Sequence, residues 1–178
     1  SSPADCATRG ASRTAAGAAA IAAMGYRGWI FDGTSPLGDA AFDGVTHIVD
    51  SAPPGAEGDP VIARNRPQLA ARARRITWAA YLSTTGVYGD HAGGWVDEDT
   101  PLTPNTERGW NRVEAETQWL DLWRETGFPI HLFRLAGIYG PGRNQLLSIR
   151  DGSARRIIKP GQVFSRIHVE DIARVLEA

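Results

Sequence analysis

A chain of 178 residues, 42% hydrophobic and 22% charged, has the balance of one globular domain long enough to bury a core, which excludes a disordered chain. A formal net charge of -1 gives no electrostatic footprint for nucleic acid or a membrane surface. Cys6, the one cysteine, excludes an intrachain disulfide and a cysteine-based zinc site, and it agrees with a reducing cytoplasm, the expected location.

The opening "SSPADCATRG" shows no strand pattern. Residues 14–24 are alanine-rich and read as a helix closed by Gly25. "YRGWIFD" (26–32) and "VTHIVDS" (45–51) read as buried strands, rich in β-branched or aromatic residues and ended by turn signals. Residues 61–75 form a weaker helical pattern, interrupted by Pro67. "ITWAAYL" (76–82) is the third strand, and the glycine, proline and aspartate of 86–105 make a long loop. Residues 107–126 place Trp110, Val113, Thr117, Leu120 and Trp123 at helical spacing, with Gly127 as the stop. "PIHLFRL" (129–135) is a fourth strand, 155–167 suggests two short strands around "KPGQ", and "VEDIARVLEA" is an amphipathic helix. Strands alternating with helices predict one α/β domain with a mostly parallel sheet covered on both faces.

Three strand ends share a design. "YLSTTGVYGD" (81–90) runs an apolar strand into Ser83, Thr84 and Thr85. "FRLAGIYGPGR" (133–143) ends in small residues, Gly137 among them, followed by Tyr139 and a Gly-Pro-Gly turn. "VDSAPPG" (49–55) ends in Ser51, Ala52 and Pro53. Ligands of open α/β sheets bind outside the carboxyl ends of the strands. Hydroxyls there can bond a ligand oxygen, and small residues let a ligand approach the backbone. The plainer reading is that Ser and Thr cap the strand ends.

"STTGVYGD", "FRLAGIYGPGR" and "SRIHVEDIA", in that order, resemble the extended and atypical short-chain dehydrogenase/reductase family, the NAD-dependent epimerase/dehydratase group. The resemblance runs from about Thr8 to the last residue. It implies a Rossmann-like sheet, a nicotinamide cofactor, and a Ser/Thr, a Tyr and a Lys acting together. In that family the tyrosine exchanges a proton with the substrate oxygen while hydride moves to or from the nicotinamide, and the lysine holds the ribose. Registered on "VYG", the family's Ser/Thr falls on Thr84. Ser51, Ala52, Pro53, Ser83 and Gly137 are then expected to line the cofactor, and Asp32 resembles the aspartate that meets adenine.

Two departures stand out. In "TERGWNRVEAE" (106–116) Arg108 stands where the tyrosine belongs and Arg112 where the lysine belongs. Arginine stays protonated in proteins, so Arg108 cannot be the proton-transferring group. The pair is expected either to clamp an anion in the cleft or to form surface pairs, Arg112 with Glu116. Lys159, the one lysine, is too distant along the chain to replace it. Tyr88 and Tyr139 are the tyrosines nearest the cleft, and the tryptophans read as core and loop packing. Second, neither G-x-G-x-x-G nor G-x-x-G-x-x-G occurs in this sequence. Upstream, "ATRGASR" resembles the end of the family's second strand. There Arg9 and Arg13 are placed like residues that hold a 2′-phosphate, which prefers NADP over NAD. The family's first strand and Gly-rich loop are therefore expected to lie outside this stretch, leaving an open position between 26–32 and 45–51, and the substrate-binding segment after "HVEDIA" is expected to be missing too.

His168, Glu170 and Asp171 match a stretch that positions the following helix, and their spacing lacks a metal-ligand pattern. The expected function is an NAD(P)-binding oxidoreductase or epimerase/dehydratase-like protein on a small-molecule substrate, with no nucleic-acid or membrane partner and a homodimer allowed. The alternatives are a non-catalytic dinucleotide-binding sensor and an inactive gene fragment.

Overall fold

The computed structural model describes residues 7–155, 158, 161 and 163–177. β1 (Arg9–Ser12) leads into α1 (Ala15–Ala23), whose N-terminus is capped by the Thr14 hydroxyl accepting from the Gly17 N–H. β2 (Arg27–Ile30) returns parallel to β1, with Arg9 opposite Arg27 and Ser12 opposite Ile30. β1 extends the "ATRGASR" reading into a paired strand, within a segment that shows no strand pattern in sequence.

A second sheet has the order β3-β4-β5. β3 (His47–Asp50), β4 (Trp78–Thr84) and β5 (Ile130–Leu135) are all parallel, so their carboxyl ends lie on one edge. α2 (Pro60–Ala71) and α3 (Glu107–Thr126) supply the crossovers. Both helices pack on the face that carries Ile48, Ala79, Tyr81 and Leu132, and the core forms there around Ile62, Leu69, Trp119, Leu122 and Phe128. On the opposite face His47, Trp78, His131 and Phe133 form a row of neighbouring rings.

The ladder is interrupted between the sheet holding β2 and the sheet holding β3: no strand pairing joins them among the described residues. This interruption falls between the two segments that the sequence flags as flanking an open position. Past β5, β6 (Gly137–Tyr139) pairs in parallel with β7 (Arg166–His168), after the short α4 (Gln145–Arg150); α5 (Val169–Glu177) follows. The other short strand expected near "KPGQ" falls largely outside the described residues. No described helix is long and apolar enough to cross a membrane.

Two sequence expectations are corrected. Pro67 does not interrupt α2, which runs through it from an Asp59 cap with Pro60 in the first helical turn. The cap and a well-placed proline start the helix firmly, and packing of Ile62 and Leu69 carries it past the missing N–H. The buried face of α3 is also not the expected one. Gly109, Ala115, Glu116, Trp119 and Leu122 are buried, while Trp110 and Trp123 are half exposed and Trp95 in the loop is fully exposed. The inner stripe joins Trp119 and Leu122 to a buried carboxylate and two small residues, which a hydrophobic count passes over.

Candidate active site at the carboxyl ends of the strands

α3 begins against the end of β4. The Thr106 hydroxyl caps the helix by accepting from the Gly109 N–H. Gly109 then sits so close to the loop that an added Cβ would lie 2.5 Å from the Pro104 Cβ and 3.2 Å from the Gly86 carbonyl oxygen. One turn later the Arg112 guanidinium donates to the Leu82 carbonyl at 2.8 Å and to the Tyr81 hydroxyl at 3.0 Å. Its charge also lies 5.7 Å from the centre of the Tyr81 ring. The first two turns of α3 are thereby fixed along the strand end that carries Ser83, Thr84 and Thr85.

Of the expected site residues, the structure gathers Thr84, Arg108, Arg112, Ser51, Ala52 and Pro53 at the ends of β3 and β4. Thr84 is half-buried, and its hydroxyl accepts from the Gly86 N–H, which opens a short 3-10 turn over Thr85–Val87. Arg108 is exposed and takes part in none of the described ion pairs. Ser51 and Pro53 are exposed, and the Ala52 N–H donates to the Asp50 carboxyl group at 2.8 Å.

The pairing of Arg112 with Glu116 is not formed. Glu116 lies on the inner stripe of α3, and Arg134 on β5 claims it through three contacts of 2.8–3.2 Å. Ser83 is corrected with it. Its hydroxyl donates to Glu116 at 2.5 Å and is buried, so it serves the interior rather than the cleft. Arg134 also donates to the Tyr88 hydroxyl at 2.9 Å, which ties the buried Tyr88 into the same network. Tyr139 is half exposed and packs edge-on against His168, with ring centres 5.1 Å apart.

Of the remaining residues, Arg9 and Arg13 belong to the β1–β2 unit, Asp32 follows β2 and Gly137 follows β5. Arg9 donates weakly to the Ala40 and Ala41 carbonyls at 3.3 and 3.4 Å, and Arg13 is exposed. Asp32 is exposed and accepts from the Thr34 N–H and hydroxyl, which together hold its carboxyl below the usual carboxylate range. Gly137 begins β6, and an added Cβ there would strike the Arg166 guanidinium. A cleft of about 650 Å³ opens beside Thr85, lined also by Tyr88, Val96, Phe133, Ile172 and Val175.

Two residues of this region are not singled out by the sequence reading. Asp50 ends β3 and Asp59 caps α2, and both are buried. Asp59 had a legible signal: an aspartate directly before a proline and a helical run marks a helix start. Burial drives the Asp50 carboxyl well above the usual carboxylate range, reinforced by the charge of Asp59 and opposed by the Ala52 N–H and Arg112. Burial also raises Asp59, against its contacts with Asp50, the Ile62 and Val61 N–H groups and Arg112. Tyr81 is raised by burial, against the nearby Arg112 charge.

The fold matches solved structures. A functionally unknown conserved protein from Silicibacter pomeroyi DSS superposes with a TM-score of 0.84 at 53% identity, over 95% of this chain and 57% of that one. A dTDP-glucose 4,6-dehydratase from Bacillus anthracis, in complex with NAD, gives 0.66 at 19% identity, over 92% of this chain and 58% of that one. A UDP-glucuronic acid 4-epimerase from Bacillus cereus, with UDP-glucuronic acid and NAD, gives 0.64 at 17% identity, over 86% of this chain and 56% of that one. Protein YeeZ of Escherichia coli (strain K12) is 44% identical over 75 residues, which are 42% of this chain and 26% of YeeZ. The chain thus spans little more than half the length of these solved relatives. The model of the NAD dependent epimerase/dehydratase family matches residues 68–177, from the second half of α2 through the arginine turn to α5. The chain belongs to the NAD dependent epimerase/dehydratase family.

Proposed function

We propose that this chain carries the nicotinamide-ribose side of an NAD(P) site, in an oxidoreductase or epimerase/dehydratase-like protein acting on a small-molecule substrate. The observation that carries this reading is the docking of α3. Gly109 on the Gly86 carbonyl and Arg112 on the Leu82 carbonyl bring a hydroxyl, an exposed guanidinium and an anchored guanidinium to one strand edge. Hydroxyl donors beside cations suit a ribose and its phosphate. Arg112 spends one nitrogen on the protein, so its other N–H groups can face a ligand. Within the described residues, the donor set fits the ribose side of the cofactor; the pyrophosphate loop of the family is not written in this sequence.

A bound nicotinamide would supply hydride acceptance and return. The residues of this chain would bind and orient. Thr84 directs a substrate oxygen, Arg112 holds the ribose in place of lysine, and Arg108 offers charge without giving up a proton. The cleft beside Thr85 gives room for a small molecule. The preference for NADP rests on the position of Arg13 in the sequence alone, since the Arg9 guanidinium is turned to the Ala40 and Ala41 carbonyls.

The test is dinucleotide affinity and turnover in the protein that contains this chain. Losing one charged hydrogen bond costs about 1.5–3 kcal/mol, so Arg112→Ala should weaken NAD(P) binding by roughly ten- to a hundredfold. Nicotinamide absorbance, followed with nucleotide sugars and simple carbonyl compounds, reads turnover. Unchanged affinity in Arg112→Ala would remove this residue from the site. Binding without turnover of any such substrate would leave a dinucleotide-binding protein without the enzymatic half of the reading.

A further inference from the structure

Asp50 and Asp59 lie at the meeting point of β3, α2 and α3. Each has one carboxyl oxygen engaged by backbone: Asp50 Oδ1 accepts from the Ala52 N–H at 2.8 Å, and Asp59 Oδ1 accepts from the Val61 and Ile62 N–H groups at 2.8 and 3.1 Å. The second oxygen of each, Oδ2, is buried and meets no N–H or O–H donor among the described residues other than what the neighbouring carboxyl itself can offer. Asp59 is 0% exposed and Asp50 5%, so both carboxyls are removed from bulk solvent. Two ionised carboxylates facing the single charge of Arg112 would leave an uncompensated buried charge. One proton between them makes an O–H···O bond and satisfies both orphaned oxygens at once.

The geometry also says which oxygen keeps the proton. Asp59 receives two N–H bonds and sits at the N-terminus of α2, where the helix dipole favours negative charge. Asp50 receives one N–H bond at a strand end, with no such field. The charged group facing the pair is Arg112 from α3, and the neutral phenol facing it is Tyr81 from β4. With one proton on the pair, the two carboxyls and Arg112 sum to zero.

We propose that Asp50 and Asp59 form a one-proton pair, neutral Asp50 donating to ionised Asp59, and that this pair is the positioning partner of Arg112. The pair makes α2, α3 and the end of β3 one electrostatic unit. Its proton is lost as pH rises above the ordinary aspartate range, so the unit loosens with rising pH. A raised folded-state value means the stabilisation is fully present below the unfolded aspartate value, about 3.9, and drains away as pH rises through the value of the pair.

The test uses the 178-residue chain and no ligand, so it stands or falls apart from the cofactor reading. Carboxyl-carbon NMR of the wild type should show one aspartate still protonated well above the usual range, and that signal should be absent from Asp50→Asn. Asp50→Asn keeps an acceptor for Ala52 and a donor for Asp59, so it should fold at neutral pH and lose the decline in urea midpoint that the wild type shows as pH rises above the ordinary aspartate range. Asp59→Asn should lower that midpoint, because it replaces the charged cap. In the wild type the Arg112 side-chain N–H signals should broaden as the perturbed aspartate ionises. Every aspartate titrating in the ordinary range would overturn the pair. Asp50→Asn as damaging as Asp59→Asn at neutral pH would overturn the assignment of its proton, and Arg112 signals indifferent to the titration would overturn the positioning role.

Discussion

Ser83 and Thr84 are adjacent in a strand and therefore face opposite ways, which decides their roles before any chemistry does. Ser83 points with Tyr81 into the layer under α3, where Glu116 and Arg134 already form a buried pair exposed by 2% and 17%. Its hydroxyl completes that pair's bonding. Thr84 is left at the edge with its hydroxyl on the Gly86 N–H, still able to donate. Breaking a buried ion pair from one side costs about 3–5 kcal/mol, and partial exposure of Arg134 puts this one near the lower end. Glu116→Gln should therefore cost about 3 kcal/mol in urea unfolding. Ser83→Ala should cost about 1 kcal/mol, the usual worth of one hydrogen bond. A loss under about 1 kcal/mol for Glu116→Gln would mean that solvent already screens the pair.

At the scale of elements, the strands and helix ends are legible because their signals are local. Gly127, at φ 72, closes α3 where the sequence places its stop, and each of the four apolar segments falls on a strand, β4 running two residues past the expected 76–82. The rotation of α3 is not legible, because it depends on partners distant in sequence. Arg134, 18 residues beyond Glu116, draws a carboxylate inward and turns Trp110 and Trp123 outward. The same holds at the site. Thr84 and the arginine turn could be placed by motif order, whereas the carboxyl pair joins a strand end to a helix cap and has no linear pattern. Gly109 makes this placement testable. Alanine favours a helix interior over glycine by about 1 kcal/mol. Here its Cβ would press on Pro104 and the Gly86 carbonyl, and overpacking costs about 1–3 kcal/mol. Gly109→Ala should thus lower the urea midpoint and release the Arg112 contacts with β4. A raised midpoint would show that α3 docks less tightly than these distances imply.

For the whole molecule, the two sheets explain why the described half-site is one-sided. β3, β4 and β5 share a continuous parallel ladder with α2 and α3 on one face, and the core lies there. The β1–β2 unit makes no strand pairing with that ladder among the described residues, and the segment after β2 is tied to α2, Arg64 donating to the Gly33 carbonyl at 2.9 Å. The strand ends proposed to meet a nicotinamide-ribose therefore belong to the three-stranded ladder that carries the core. The most direct test of this account is a nitrogen–proton NMR titration of the 178-residue chain with NADH in large excess, which registers weak binding and its location together. The account predicts shifts concentrated at the amides of Ser51, Ala52, Thr84, Thr85, Gly86 and Gly109, and their loss in Arg112→Ala. Shifts confined to β1–β2 or to β6–β7, or no shifts at the ends of β3 and β4, would contradict it.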